Sequence, residues 1–349
     1  VEVRFLADLD VERARARAEE FEVRDGSGEV AAGTVEELLA REDVDIVVNL
    51  MIPAAHAEVD RRILEAGKHV WSEKPIAMAS QEARELLALA DEKGLRLACA
   101  PDTMLGPGIQ TALRAVASGE IGDVLTGSFV FQTGGPESWH PSPEFLFTHG
   151  AGPLFDMGPY DVSAAVRLFG PVARVMAVSS TARDTRVIGS GPKAGTGFPV
   201  DVPTHHAALL TFASGASAQA VFSFQSALPR IGEIEVSGIE GSIALPDPNM
   251  FAGDSTLWAF PEGLAAPETR TLPVPEVPFA RGAGVVDLAR SLRDGVPEQA
   301  SGAMAAHVLD VLIAIHDAAA EGRIVDVDPA GFTAPEPLPE DWDPTVATL

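Results

Sequence analysis

A single cysteine, Cys99, and a single tyrosine, Tyr160, stand among 349 residues. One thiol excludes an internal disulfide and a thiolate zinc cluster, and the run Leu97-Ala98-Cys99-Ala100 reads as packed core. Positive charge is scarce: 25 Lys and Arg face 51 Asp and Glu, a net −26. Nucleic acids and anionic membranes need a basic surface, so neither is an expected partner. No uninterrupted run of eighteen apolar residues occurs, so no membrane span is expected. The eight histidines are scattered without a ligand cluster, and no metal site is expected. Lysine is confined to positions 68, 74, 93 and 193, while arginine is common.

Residues 1–101 alternate short apolar strands with amphipathic helices, the pattern of a parallel α/β sheet. Strands are expected at Val3–Ala7, Asp45–Leu50, His69–Ser72 and Arg96–Ala100. Asp10 is the expected cap of a helix over Arg13–Phe21, Thr34 opens a capping box with Glu37, and Ser80 is the expected cap of a helix ending at Gly94. Residues 102–327 change texture, with a helix near Pro107–Ser118 and longer alternating strands at Val124–Gln132, Ala173–Arg183, His206–Phe212, Ala216–Gln225 and Ile231–Ser237. Helices near Leu154–Leu168 and Ala303–Glu321 complete an α+β second domain whose sheet keeps one open or partner-covered face. Residues 328–349, rich in proline and acid, read as an irregular tail or strap.

The candidate chemistry starts at Lys74, at the carboxyl end of a strand. An ammonium can release a proton where a guanidinium cannot; a surface lysine beside a turn is the plainer alternative. Asp156 and Tyr160 are four residues apart and share a helix face, either as carboxylate and phenol of a site or as a first-turn acid and a core aromatic. Trp139-His140 lies in a Gly- and Pro-rich loop, suited to stacking on a sugar ring or simply to loop packing. His205-His206 begins a strand, so alternation lets at most one of the pair reach a pocket.

The chain opens directly on a strand ending Ala7-Asp8-Leu9-Asp10. In a dinucleotide-binding domain a carboxylate at the end of the second strand holds the adenosine ribose; turn and cap roles are the alternative for Asp8. The first strand, Gly-x-Gly-x-x-Gly turn and helix of such a domain are not found. The expectation is therefore an α/β Rossmann domain lacking its first strand-turn-helix unit, followed by the α+β domain. The default compartment is the cytoplasm, with export left open because a signal segment would precede Val1.

These residues resemble the Gfo/Idh/MocA family of glucose-fructose oxidoreductases and inositol dehydrogenases. The likeness rests on Asp8, the turn Pro53-Ala54-Ala55-His56, the run Ala66-Gly67-Lys68-His69-Val70 leading to Glu73-Lys74-Pro75, the turn Gly119-Glu120-Ile121-Gly122-Asp123-Val124, and Asp156-Met157-Gly158-Pro159-Tyr160. It covers Val1 to about Val327. The resemblance implies a Rossmann domain and a large, mostly antiparallel open sheet that commonly forms a homodimer or homotetramer interface. It also implies NAD or NADP as cofactor, with Asp8, Pro53, His56, Glu73 and Lys74 around it, and often a cis Lys74–Pro75 bond. Glu73 is equally readable as a counter-ion of Lys74. Where many members have histidine, this chain has Tyr160, so a phenol relay is expected. The substrate is expected to be a sugar, polyol or related cyclic alcohol, contacted by Trp139, His140, Asp156 and His205. Lys74, Tyr160 and Asp156 are the expected catalytic groups, and NAD is expected over NADP because the Asp8 carboxylate repels a 2′-phosphate. The competing reading is a non-catalytic regulator of the same fold that binds a dinucleotide or sugar.

Overall fold

A computed structural model describes residues 1–261, 266–275 and 277–346. The first hundred residues form β1 (Leu6–Ala7), α1 (Val11–Glu20), β2 (Ala32–Gly33), α2 (Val35–Leu39), β3 (Ile46–Asn49), α3 (His56–Glu65), β4 (His69–Ser72), α4 (Ser80–Lys93) and β5 (Leu97–Cys99). Every strand pairing here is parallel: β1 with β2, and β3-β4-β5 in that order. The crossover helices make parallel pairing the natural outcome, since a chain returning through a helix re-enters the sheet in the same direction.

Two local expectations need correcting. The strand expected over Val3–Ala7 shortens to Leu6–Ala7, because its partner is only Ala32–Gly33, and this pair is not hydrogen-bonded to the β3–β5 sheet. Ser80 is the first helical residue rather than the cap. Ala79 holds the N-cap position, and the Glu82 carboxylate satisfies the amides of Met78 and Ala79. The caps at Asp10 and Thr34 form as expected, each accepting a first-turn amide.

Beyond Pro101 follow α5 (Pro107–Ala117), β6 (Val124–Gln132), α6 (Gly152–Phe169), β7 (Val172–Ser180), β8 (Thr185–Val187), β9 (Gly197–Pro199), β10 (His205–Phe212), β11 (Ser217–Ser223) and β12 (Arg230–Gly238). Then come β13 (Gly241–Leu245), β14 (Ser255–Ala259), β15 (Glu268–Leu272), α7 (Ala283–Asp294), α8 (Gly302–Glu321) and β16 (Val325–Asp326). Nine strands make one sheet in the order β15-β14-β13-β12-β6-β11-β10-β7-β16. It is antiparallel except between β6 and β11.

One face of this sheet buries Phe129, Phe212, Phe222, Ile234 and Ile243 beneath the helices. The other keeps Met176, Val178, Leu209 and Trp258 exposed. That alternation is the two-residue period of a sheet with one covered face.

Helix α8 is apolar on average without an uninterrupted apolar run. Over eighteen residues its mean hydropathy reaches 1.5, enough by length and composition to cross a membrane, although polar residues interrupt it. Its apolar side chains are core instead: Met304, Val308, Leu309, Val311, Leu312 and Ile315 are buried. Ala306 and Leu309 enter the core behind β4 and β5, and Cys99 N donates to Ala300 O at 3.0 Å. The helix therefore locks the two domains together. The strap is also tied down: Leu338 N donates to Gln110 Oε1 at 2.7 Å, and Arg290 donates to the carbonyls of Asp343 and Val346. Residues 347–349 of the expected tail lie outside the described residues.

Candidate active site

Strand β4 is buried from Val70 to Ser72, and the chain leaves it through Glu73 and a cis Lys74–Pro75 bond. Helix α6 begins on Gly152, whose φ of 82° suits glycine. An added Cβ there would press on Pro203 O and Val202 at 3.2 Å. Pro153 follows in the first turn, where its missing N–H costs nothing. This start aims the first turns of α6 at the end of β4.

There Lys74 Nζ donates to Asp156 O at 2.6 Å and to Asp156 Oδ1 at 3.0 Å. The same ammonium lies 5.2 Å from the centre of the Tyr160 ring. Lys74, Asp156 and Tyr160, 82 to 86 positions apart across the two domains, thus form one cluster. Tyr160 is 8% exposed. Burial is the largest influence and holds its pKa above the usual phenol value; the positive charges of Lys74 and Arg281 pull it back, and the Glu73 and Asp156 carboxylates add to the rise.

Arg281 is the member that sequence reasoning missed. Its guanidinium lies 5.7 Å from the Tyr160 ring centre and 5.8 Å from that of Phe251. It donates to Asp102 Oδ1 at 3.3 Å and to Asn249 Oδ1 at 2.7 Å. Asp102, 3% exposed, also takes the Gly282 amide at 2.7 Å. These partners come from segments 102, 249 and 281, which carry no local signal of convergence.

Glu73 does not pair with the Lys74 ammonium; its carboxylate accepts the Lys74 backbone amide at 3.1 Å. His56 is 1% exposed. Its ring nitrogens lie 2.6 Å from Pro75 O and 2.8 Å from Met51 O. The imidazole therefore braces the turn carrying Pro53 against the segment after Lys74. Asn49 adds to the brace by donating to Asp60 Oδ1 and His56 O, while its own oxygen accepts the Met51 amide.

Asp8 stands at the end of β1, where its carboxylate accepts the Asp10 amide at 2.8 Å, with Arg13 3.7 Å away. Leu9, Leu50 and Ile52, exposed at 82%, 71% and 68%, lie beyond the carboxyl ends of β1 and β3. This is the side on which parallel sheets bind ligands. A carboxylate beside exposed apolar side chains fits the ribose and flat rings of a dinucleotide. No described residue is assigned to its diphosphate.

Three expected contacts stand apart from the cluster. Trp139 is 68% exposed and forms an edge-to-face row with His140 and Phe145, at 5.5 and 5.4 Å. Neither Trp139 nor His140 touches Lys74, Asp156 or Tyr160 through a hydrogen bond or ring contact. Alternation along β10 places His205 on the same face as Leu209, away from the helices. His206 faces inward, its ring 6.4 Å from that of His316, and burial pushes its pKa down to about 4. A concavity of about 490 Å³ lies on the open sheet face between Arg174, Met176, Leu209, Gln219 and Glu235; it is separate from the Lys74 cluster. Among the described residues, no group of three or more His, Cys, Asp or Glu could hold a metal ion.

Comparison with known proteins matches residues 1–100 to an oxidoreductase family with an NAD-binding Rossmann fold. Residues 109–244 match the GFO/IDH/MocA C-terminal domain. The chain is 33% identical over 251 residues to an uncharacterized oxidoreductase of Rhizobium meliloti, covering 71% of this chain and 67% of that one. It is 32% identical over 243 residues to the dTDP-3,4-didehydro-2,6-dideoxy-alpha-D-glucose 3-reductase of Streptomyces violaceoruber, covering 69% and 64%. Its fold is similar to that of an NAD-binding oxidoreductase from Klebsiella pneumoniae, with a TM-score of 0.82 at 23% identity over 94% of this chain and 90% of that one. The chain belongs to the Gfo/Idh/MocA oxidoreductase family, with its NAD-binding Rossmann domain and its open-sheet carboxyl-terminal domain.

Proposed function

We propose that this protein is an NAD-dependent dehydrogenase acting on a secondary carbinol of a sugar, polyol or related cyclic alcohol. The observation that carries this reading is the Lys74 ammonium, bonded to Asp156 at 3.0 Å and 5.2 Å from the centre of the Tyr160 ring. A carbinol becomes a ketone only if its hydroxyl proton finds a base as the hydride leaves. The nicotinamide, when bound, takes the hydride from the carbinol carbon. The Tyr160 phenolate takes the hydroxyl proton, and the Lys74 ammonium stabilises that phenolate and hydrogen-bonds the reacting oxygen. Asp156 holds Lys74 through one carboxylate oxygen, leaving the other to accept a neighbouring substrate hydroxyl. Asp8 holds the adenosine ribose, and its charge favours NAD over NADP. Pro53, His56 and Glu73 shape the cofactor side of the cluster.

The Streptomyces relative is named as the 3-reductase of a didehydro sugar, which supports a sugar substrate here. The exposed Met176, Val178 and Leu209 support a homodimer or homotetramer built on the open sheet face. The test is NAD reduction, followed by absorbance, over a panel of sugars and polyols. At least one substrate should be oxidised, and Lys74→Met should abolish the activity. Nicotinamide binding without turnover of any substrate would favour the regulator.

A further inference from the structure

Arg281 lies beyond both matched segments, which end at residues 100 and 244. Yet it reaches the centre of the cluster, and its placement is over-determined. The first turn of α7 packs closely against the Trp71 ring of β4: a Cβ on Gly284 would meet that ring at 1.9 Å, so only glycine allows the approach. Just before it, Gly282 closes the turn with φ 101° and gives its amide to the buried Asp102. Arg281 immediately precedes these two anchors. Asp102 and Asn249 take its donors, and its guanidinium carbon lies over the Phe251 and Tyr160 rings.

We propose that Arg281 is a positioning residue for the Tyr160 phenol: clamped by Asp102 and Asn249, it holds a second positive charge against the ring and stabilises the phenolate that accepts the substrate proton. This rests on the reading of Tyr160 as proton acceptor. The charged groups facing the phenol are Lys74 and Glu73 from the β4 exit, Asp156 from α6 itself and Arg281 from the approach to α7. Asp102 faces Arg281 and offsets part of its charge. Of the two cations, Lys74 is engaged with Asp156 and is the one placed to meet the reacting oxygen. Arg281 cannot release a proton at working pH, so its contribution is fixed charge rather than proton exchange.

Tyr160 is the chain's only tyrosine, so its ionisation can be read directly without substrate or cofactor. Titration of the phenolate absorbance, or of a single ring-carbon NMR signal from labelled tyrosine, should give a midpoint raised by about 0.5 to 1 pH unit in Arg281→Gln. Arg281→Lys should restore most of that shift. Asn249→Ala, which loosens the clamp while keeping the charge, should move the midpoint the same way by a smaller amount, and serves if Arg281→Gln does not fold. With a sugar substrate in hand, the acid-side limb of kcat should move upward with the titration, lowering the rate below that limb by about three- to tenfold. An unchanged midpoint in folded Arg281→Gln overturns the proposal. So does a shift that Arg281→Lys does not restore. Because the titration needs no turnover, its failure is separable from failure to find any substrate, which bears on the dehydrogenase reading instead.

Discussion

Replacing Lys74 separates its charge from its hydrogen bond to the reacting oxygen. The ammonium is 5.2 Å from the Tyr160 ring centre, and both side chains are largely buried. At an effective dielectric of about 20, a unit charge at that distance stabilises the phenolate by at most about 3 kcal/mol, roughly two pKa units, less what the Asp156 carboxylate bonded to it cancels. Lys74→Met loses this together with the hydrogen bond to the reacting oxygen, so kcat for NAD reduction should fall by about 10²- to 10⁴-fold, or about 3 to 5 kcal/mol of barrier. Lys74→Arg keeps the positive charge, but the broad planar guanidinium does not reproduce the compact ammonium bonded to both Asp156 and the reacting oxygen. It should recover part of the phenolate stabilisation, seen in the Tyr160 titration, and little of the rate. Both variants should bind reduced nicotinamide, followed by its fluorescence, within about threefold of the parent, since the lost interaction belongs to the transition state. A Lys74→Met enzyme turning over within threefold of the parent would refute the reasoning.

Asp8→Ser removes the charge that opposes a 2′-phosphate while Arg13 stays nearby, so the ratio of NAD to NADP activity should fall by at least about tenfold; kcat/KM for both cofactors reads it. Asp161 is fully buried, one carboxylate oxygen has no partner, and burial first, then the nearby Asp247 charge, raises its pKa to about 8. Because the folded form keeps a proton that an unfolded aspartate loses near pH 4, this group's contribution to stability is full below pH 4 and declines as pH rises through 8. Asp161→Asn should therefore stabilise the fold by up to about 4 kcal/mol at pH 7 and by only about 1 to 2 kcal/mol at pH 5, as read by denaturant unfolding; equal gains at both pH values would show that burial of the charge is not the cause. Leu209→Glu on the open sheet face should shift the assembly to monomer in sedimentation or light scattering while leaving the Lys74 cluster intact. A parent that is already monomeric would remove that interface.

Much of this architecture was legible because burial leaves a period in the sequence. The alternation at His206–Phe212 and Ala216–Gln225 located two central strands, and the parallel β3–β5 unit followed from apolar runs ended by glycine and proline. The strands that escaped were short, and the twelve-residue helix α7 escaped as well. Strands β13, β14 and β15 have five residues each, too few for a period to rise above Gly- and Pro-rich surroundings. Their pairing is set by neighbours in the sheet rather than by their own composition. Lys74, Asp156 and Tyr160 could be singled out because each lies at a recognisable strand end or helix start. Arg281 could not, since its place depends on Gly284 meeting Trp71 and on Asp102 taking an amide 180 residues away. Ser80 is not a cap because it is itself the first helical residue, with Ala79 at the cap position. Residue type alone did not fix the placement of His205 and Trp139: strand alternation directs the first to the open face, and the second lies edge-to-face with His140 in its loop.

The most direct measurement is a crystal structure with reduced nicotinamide and the sugar found by the activity panel. The account predicts one substrate hydroxyl within about 3 Å of both Lys74 Nζ and the Tyr160 oxygen, its carbon facing the ring carbon that carries the hydride. A substrate held against the Trp139 loop or the open sheet, with Lys74 and Tyr160 touching neither ligand, would contradict it.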